Sequence, residues 1–311
     1  MQAIIAVWIA VVALLACAPV QAATYANTSF AYSWIDASNH AKLGYNTTPY
    51  RFNGSAGCGT SPPVLDDTLS DALPIGFSFM YSGVAFSTLR VMTNGRVQFN
   101  NNVTCGYGSP VQTLPYPNSS LNYTMRIYGN DLDPTSKLEV PTYNTACASR
   151  LTCYVSYATI GTAPYRSFVV TWNNVPEWTT GTSTTGSYSL QLILQENGEF
   201  IYQYGTAVAG PSAKLGQIGW QADSNDYDTP QTGFPVTNSA IKFYIPRPVV
   251  EYRMEQPSWN NTPGQVSDTS GNGRDGTVLG GAQTIAAGRV CRAASFPLNT
   301  STAAIAAVDS G

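Results

Sequence analysis

An all-β fold, built as an antiparallel β-sandwich, is what this sequence predicts, and three observations predict it. Side chains alternate with period two in several stretches, polar turns separate those stretches at short intervals, and no segment keeps helical spacing for three turns. Aromatics reach 12% of the 311 residues, with 19 tyrosines, while charged residues supply only 11%. Soluble domains average about 25% charged, so this surface is polar through Thr, Asn and Ser rather than through ions. A hydrophobic share of 43% is enough for a core. The length fits two domains, or one large β domain and part of another.

The same numbers exclude function classes. Net charge is −3 and no basic run occurs, so the phosphate neutralisation that nucleic-acid binding needs is absent. His40 is the single histidine, which weakens every mechanism that relies on imidazole.

Taken in chain order, Ile4 to Leu15 form an apolar run that ends in Ala16-Cys17-Ala18-Pro19-Val20-Gln21-Ala22. A run this short, followed by small residues, reads as a signal peptide over residues 1–22, cleaved before Ala23; a spanning helix needs about 20 apolar residues. Met1-Gln2 lacks Lys or Arg, so the start lies upstream or the terminal amine supplies the charge. An uncleaved anchor and a lipoprotein, through Leu14-Leu15-Ala16-Cys17, are the two alternatives. No second apolar segment of spanning length follows, so the mature chain is expected to carry no membrane span and to be secreted or held at the outer cell surface. Export predicts disulfides. Cys147 and Cys153 are spaced to staple a hairpin, and Cys58 and Cys105, both in Gly-rich polar loops, form the natural second pair. Cys291 is left over.

Strands are expected at Ile75 to Met80, Leu89 to Met92, Arg96 to Phe99, Tyr154 to Tyr157, Phe168 to Trp172, Leu215 to Gln221 and Ile241 to Ile245. The clearest hairpin alternates Tyr188, Leu190, Leu192 and Leu194 with polar residues, turns at Glu196-Asn197-Gly198-Glu199, and returns through Phe200, Tyr202 and Tyr204. Asn-Gly suits a type I′ turn, in which both residues take positive φ; Thr93-Asn94-Gly95 repeats that chemistry. A turn or two of helix is expected around Asp66 to Leu73. No linker divides residues 24–245. Pro246-Arg247-Pro248 then reads as a stiff connector over 246–249, with a second domain at 250–311.

These residues carry two family resemblances. Leu73 to Phe79, Val84-Ala85-Phe86, Val91 to Phe99, Asn130 to Pro134, Phe168 to Pro176 and the Leu192 to Tyr204 hairpin, in that order, resemble a nidogen-type extracellular domain. That resemblance implies a β-sandwich of surface and matrix proteins with no catalytic activity. Val249 to Glu255, Trp259-Asn260, Asp268-Thr269-Ser270-Gly271-Asn272-Gly273 and Gly288 to Cys291 resemble the opening of a concanavalin A-like or laminin-G-like lectin domain, a jelly roll. Residues 250–311 are too few to complete it, so the domain is expected to be truncated, with the partner of Cys291 past Gly311. Ser295-Phe296-Pro297-Leu298 departs from the Ser-Phe-Asp-Gly usual in that family. Export signal, nidogen-like domain and lectin-like domain together resemble the MSHA biogenesis MshQ-like family of bacterial surface proteins, linked to type IV pili and agglutination.

Candidate sites are few. Gly271-Asn272-Gly273-Arg274-Asp275-Gly276 has dinucleotide-motif spacing but lacks the strand and helix that such a site requires, so it reads as a turn. Asp131 and Asp133, and the acidic loop Asp223, Asp226 and Asp228, are candidate Ca²⁺ ligands, although Asp is also an ordinary turn residue. Structural Ca²⁺ is the one cofactor left open. Glycoside hydrolysis needs paired carboxylates, and among Asp66, Asp67, Glu177 and Glu196 no pair falls on one strand face. Trp172 and Trp220 sit in strand patterns and belong to the core, whereas Trp178, after Pro176-Glu177, is the best exposed platform for stacking a sugar. The sequence is therefore expected to encode a non-enzymatic adhesion or pilus-biogenesis protein that contacts glycans or matrix and pilus proteins. A polysaccharide-acting enzyme with a lectin-like fold, or a purely structural envelope component, are the alternatives.

Overall fold

A computed structural model describes residues 24–53, 63–99, 113–116, 119–142, 147–180, 183–209, 216–270, 272–286, 288, 292–297 and 304–307. The expected signal peptide, Cys58, Cys105 and Cys291 lie outside the described residues. The chain divides into two compact units between Ile245 and Pro246.

Alternation in the first unit becomes two-faced strands. β3 (Leu73–Tyr81) shows it most cleanly: Leu73, Ile75, Phe77, Phe79 and Tyr81 are buried and every residue between them is exposed. With β4 (Val84–Met92), β5 (Arg96–Gln98), β6 (Thr124–Arg126), β11 (Gln217–Gln221) and β12 (Tyr227–Thr232) it forms a six-stranded sheet in the order β12-β11-β6-β5-β4-β3. A seven-stranded sheet combines β1 (Ala26–Phe30), β2 (Ala41–Leu43), β7 (Tyr154–Ile160), β8 (Ser167–Thr180), β9 (Ser183–Gln195), β10 (Phe200–Val208) and β13 (Ser239–Tyr244), in the order β1-β13-β10-β9-β8-β7-β2. Every pairing in both sheets is antiparallel.

One apolar core draws on both sheets. Tyrosine is its distinctive residue. Tyr202 and Tyr204 in the seven-stranded sheet donate their hydroxyls to the Gly219 and Ile127 carbonyls, each at 2.8 Å. A buried phenol thus adds ring area to the core and satisfies its own polar end. Tyr25 and Tyr81 are used the same way, donating to the Met80 and Thr124 carbonyls.

Both expected Asn-Gly hairpins form, but neither is a type I′ turn. Only the glycines take positive φ, 71° at Gly95 and 88° at Gly198. Gly198 N–H bonds the Gln195 carbonyl and Met92 pairs with Arg96, so each loop has three residues with a left-handed glycine closing it. The helix expected around Asp66 to Leu73 is absent. Asp67 takes φ 54°, and the Ser70 N–H goes to the Val91 carbonyl instead of to a helical partner. β8 runs well past Trp172 because bulges between Trp172 and Glu177 absorb Pro176, which cannot donate to a ladder.

The outward face of the seven-stranded sheet is not simply solvated. Gln191 and Gln203, the polar members of the alternation, are buried. Gln203 bonds Ser33 N–H and carbonyl at 2.7 Å each, and Gln191 bonds Ile35 N–H and carbonyl at 3.2 and 3.0 Å. The two side-chain amides act as a surrogate strand that holds the segment after β1 across the sheet.

The second unit pairs β14 (Gly276–Leu279) with β17 (Ala304–Ala307) and β15 (Gln283–Ile285) with β16 (Ala293–Ser295), over a small core of Val266, Val278 and Ala282. Asp268 organises its Asp-Thr-Ser-Gly-Asn-Gly loop by accepting the N–H groups of Glu251, Ser270 and Arg274. Bonds from Ser270 and these amides hold its carboxyl far below the usual range. Gly276 opens a strand, as a turn reading of the Gly motif requires.

Candidate functional site

A cluster of acidic side chains forms where the β4–β5 turn, the turn before β3 and the stretch after β6 meet. Carboxylate oxygens of Asp66, Asp67 and Asp131 lie within 4.8 Å of one another. Asn94 assembles the site: its Nδ2 donates to Asp67 at 2.6 Å while its Oδ1 accepts the Leu132 N–H at 3.0 Å. Behind these, buried Asp133 accepts the Thr135 N–H and hydroxyl at 2.8 and 2.5 Å. The stretch is pinned to β8 through Asp133 N–H to Pro176 O and Trp178 N–H to Asp131 O.

Electrostatics follow from this crowding. Burial first, and then the charges of Asp133, Asp67 and Asp131, push the Asp66 carboxyl up to about 8. Near neutrality Asp66 therefore keeps its proton. Ionised, the same three carboxylates offer the oxygen donors that a hard cation such as Ca²⁺ prefers. Sequence reading nominated Asp131 and Asp133 as ligands and Asp66 and Asp67 for another role. The fold brings Asp131 to Asp66 and Asp67, and turns Asp133 to a buried threonine.

The other nominees have separate surroundings. Asp226 accepts the Thr24 N–H and hydroxyl, each at 2.7 Å, and Asp228 accepts the Asn27 amide at 2.7 Å. Asp223 caps its own turn through the N–H groups of Asn225 and Asp226. These acids tie β1 to the β11–β12 side of the sandwich. Trp178 is half-buried on β8, opposite Thr184 of β9, and is less exposed than its place after a proline implies. Glu177 is buried and accepts the Tyr188 hydroxyl at 2.6 Å, while Glu196 pairs with Arg166 at 2.5 Å. Trp172 and Trp220 lie in the core as expected.

The profile of the NIDO-related family matches residues 42–244, well over half of the chain. The chain belongs to the NIDO-related family. Comparisons with curated proteins and with solved structures return no match.

Within the NIDO-related domain, Cys147 and Cys153 are joined as a disulfide and both are buried. The bond closes an irregular loop ahead of β7 rather than a two-stranded hairpin. Arg150 at its tip donates to Glu139 and to the Leu43 carbonyl, fastening the loop to β2. A cross-link across so short a loop contributes about 2 kcal/mol by restricting the unfolded chain. Replacing both cysteines with serine is expected to lower the unfolding free energy by that amount, read as a lower urea midpoint at unchanged m, without altering the far-UV spectrum. Sequence reading missed Asn94 as the organiser of the acid cluster. Its only signal was an Asn placed where a hairpin turn already explained it.

Proposed function

We propose that this chain is an exported, surface-exposed binding protein without catalytic activity that serves adhesion or the biogenesis of a surface structure such as an MSHA-type pilus. The observation that carries the reading is the NIDO-related match over a tyrosine-cored β-sandwich that bears a disulfide, a cross-link suited to oxidising compartments. The nidogen-type and lectin-type sequence resemblances supply the extracellular setting and the MshQ-like architecture, with residues 250–311 as the opening of a lectin-like domain. Glycans and matrix or pilus proteins are its partners. Weak polar contacts repeated on a cell surface gain strength by multivalency. The protein acts without a redox or group-transfer cofactor. Ca²⁺ is the ion that the Asp66–Asp67–Asp131 cluster would suit, in a structural role.

Cells that lack the gene are expected to lose adhesion and autoaggregation, and an antibody to the folded domain is expected to label intact wild-type cells. Labelling only after lysis, with adhesion unchanged, overturns the reading.

A further inference from the structure

We propose that the outer face of the seven-stranded sheet carries a binding site for a neutral saccharide, with Tyr165 as its stacking platform and Gln195 as its central acceptor. The inference rests on the reading above and gives that reading a place on the molecule. A cleft of about 380 Å³ lies between the β7–β8 loop and the β9–β10 hairpin, lined by Tyr165, Arg166, Ser167, Gln195 and Glu196 among others. A second, of about 220 Å³, shares Ser167 and Gln195 and is bounded by Phe30.

Tyr165 is 84% exposed, the most exposed large hydrophobic side chain of the described residues, yet its backbone is firmly held. Its N–H bonds the Thr162 carbonyl at 2.8 Å, and the next residue is fixed by four hydrogen bonds to two partners. Arg166 donates from Nε and Nη2 to Glu196 at 2.9 and 2.5 Å, from Nη1 to the Gly76 carbonyl at 2.7 Å, and from its backbone N–H to Glu196 at 3.1 Å. A braced loop that leaves a tyrosine ring in water presents a preorganised apolar face, which binding does not have to order. Phe30, 47% exposed, offers a second ring at the far cleft, with Lys242 over it at 5.8 Å.

Gln195 supplies the polar half. It lies on the same strand face as Gln191, whose amide is spent on the crossing segment, as is that of Gln203 from β10. Its own Oε1 is out of water with no hydrogen-bond donor. An acceptor left without a donor is destabilising, and a ligand hydroxyl becomes its donor once the amide turns into the cleft that Gln195 lines. The charges nearby cancel, since Arg166 and Glu196 pair with each other, so the cleft has no unmatched ion for a charged ligand. A peptide adding as a strand needs an unpaired edge, but β8 and β9, which floor the first cleft, have neighbours on both sides. Apolar ring, hydroxyl acceptor and local neutrality together describe a pyranose.

The test is to probe the full chain against an array of neutral hexose- and N-acetylhexosamine-terminated oligosaccharides, beside Tyr165→Ala, Tyr165→Trp and Gln195→Ala. Wild type is expected to bind a subset. The two alanine variants should each weaken binding at least about tenfold, corresponding to about 1.4 kcal/mol, with melting curves unchanged, and Tyr165→Trp should retain it. Binding that is equally tight in both alanine variants overturns this site while leaving the glycan reading in place. Loss of a protein partner in Tyr165→Ala, with no glycan bound by wild type, overturns the ligand class. Silence of the wild type towards both overturns the inference together with the glycan half of the reading.

Discussion

Trp172→Ala is expected to destabilise the NIDO-related domain by about 3–5 kcal/mol, the range for removing a fully buried tryptophan. Trp172 lies on β8, an interior strand of the seven-stranded sheet, and is fully buried. Its indole Nε1 donates to the Met92 carbonyl at 3.1 Å, at the end of β4 in the other sheet. The side chain therefore fills the space between the layers and also satisfies a backbone acceptor across it. Alanine leaves a cavity that two paired sheets cannot collapse to fill, together with an orphaned carbonyl. Trp172→Phe keeps most of the ring area and should cost clearly less, mainly through the lost hydrogen bond. Urea unfolding followed by the fluorescence of the remaining tryptophans separates the two variants. Equal losses for alanine and phenylalanine would mean that the hydrogen bond, not the volume, dominates.

Wild-type stability is expected to fall, relative to Asp66→Asn, as pH rises from about 4 to about 8. Burial beside three other aspartates raises the Asp66 carboxyl from an ordinary 3.8 to about 8. The folded state therefore holds this proton more tightly than the unfolded chain does. The stability it contributes is complete below the unfolded value and is lost as pH climbs through the folded one. The asparagine stays neutral throughout. The variant should therefore match wild type near pH 4 and exceed it by several kcal/mol, on the order of 5, near pH 8. Denaturant midpoints of both proteins across this window provide the measurement, and a difference that stays flat with pH sinks the assignment. The same pair reads out the ion: if Ca²⁺ sits on the ionised cluster, millimolar Ca²⁺ near pH 8 raises the wild-type midpoint against EGTA and leaves Asp66→Asn unmoved.

Much of the sandwich was legible in the sequence where side chains alternate strongly. β3, the hairpin of β9 and β10, and the burial of Trp172 and Trp220 follow from period two and apolar bulk alone. β1, β2, β6 and β12 were not legible, because they are short and mostly polar, and their pairing is decided by neighbours distant in the chain. Asp66 is an instance of the same limit at the candidate site. Its neighbours Asp131 and Asp133 come from another strand connection, so neither their approach nor the raised pKa has a local signature. Trp178 is less exposed than expected for a related reason: a nearby proline argues against a central strand, yet bulges let β8 continue through it.

The sequence by itself determined the fold class, the inward face of the strong strands and the pairing of Cys147 with Cys153, because each rests on spacing within a few residues. Tertiary structure alone decided which polar groups meet. Gln191 and Gln203 became a clamp for a crossing segment, Asn94 became the bridge between two turns, and Tyr165 was left in water on a braced loop. Alternation tells a side chain which face to take, but only the stacking of two twisted sheets sets what waits for it there.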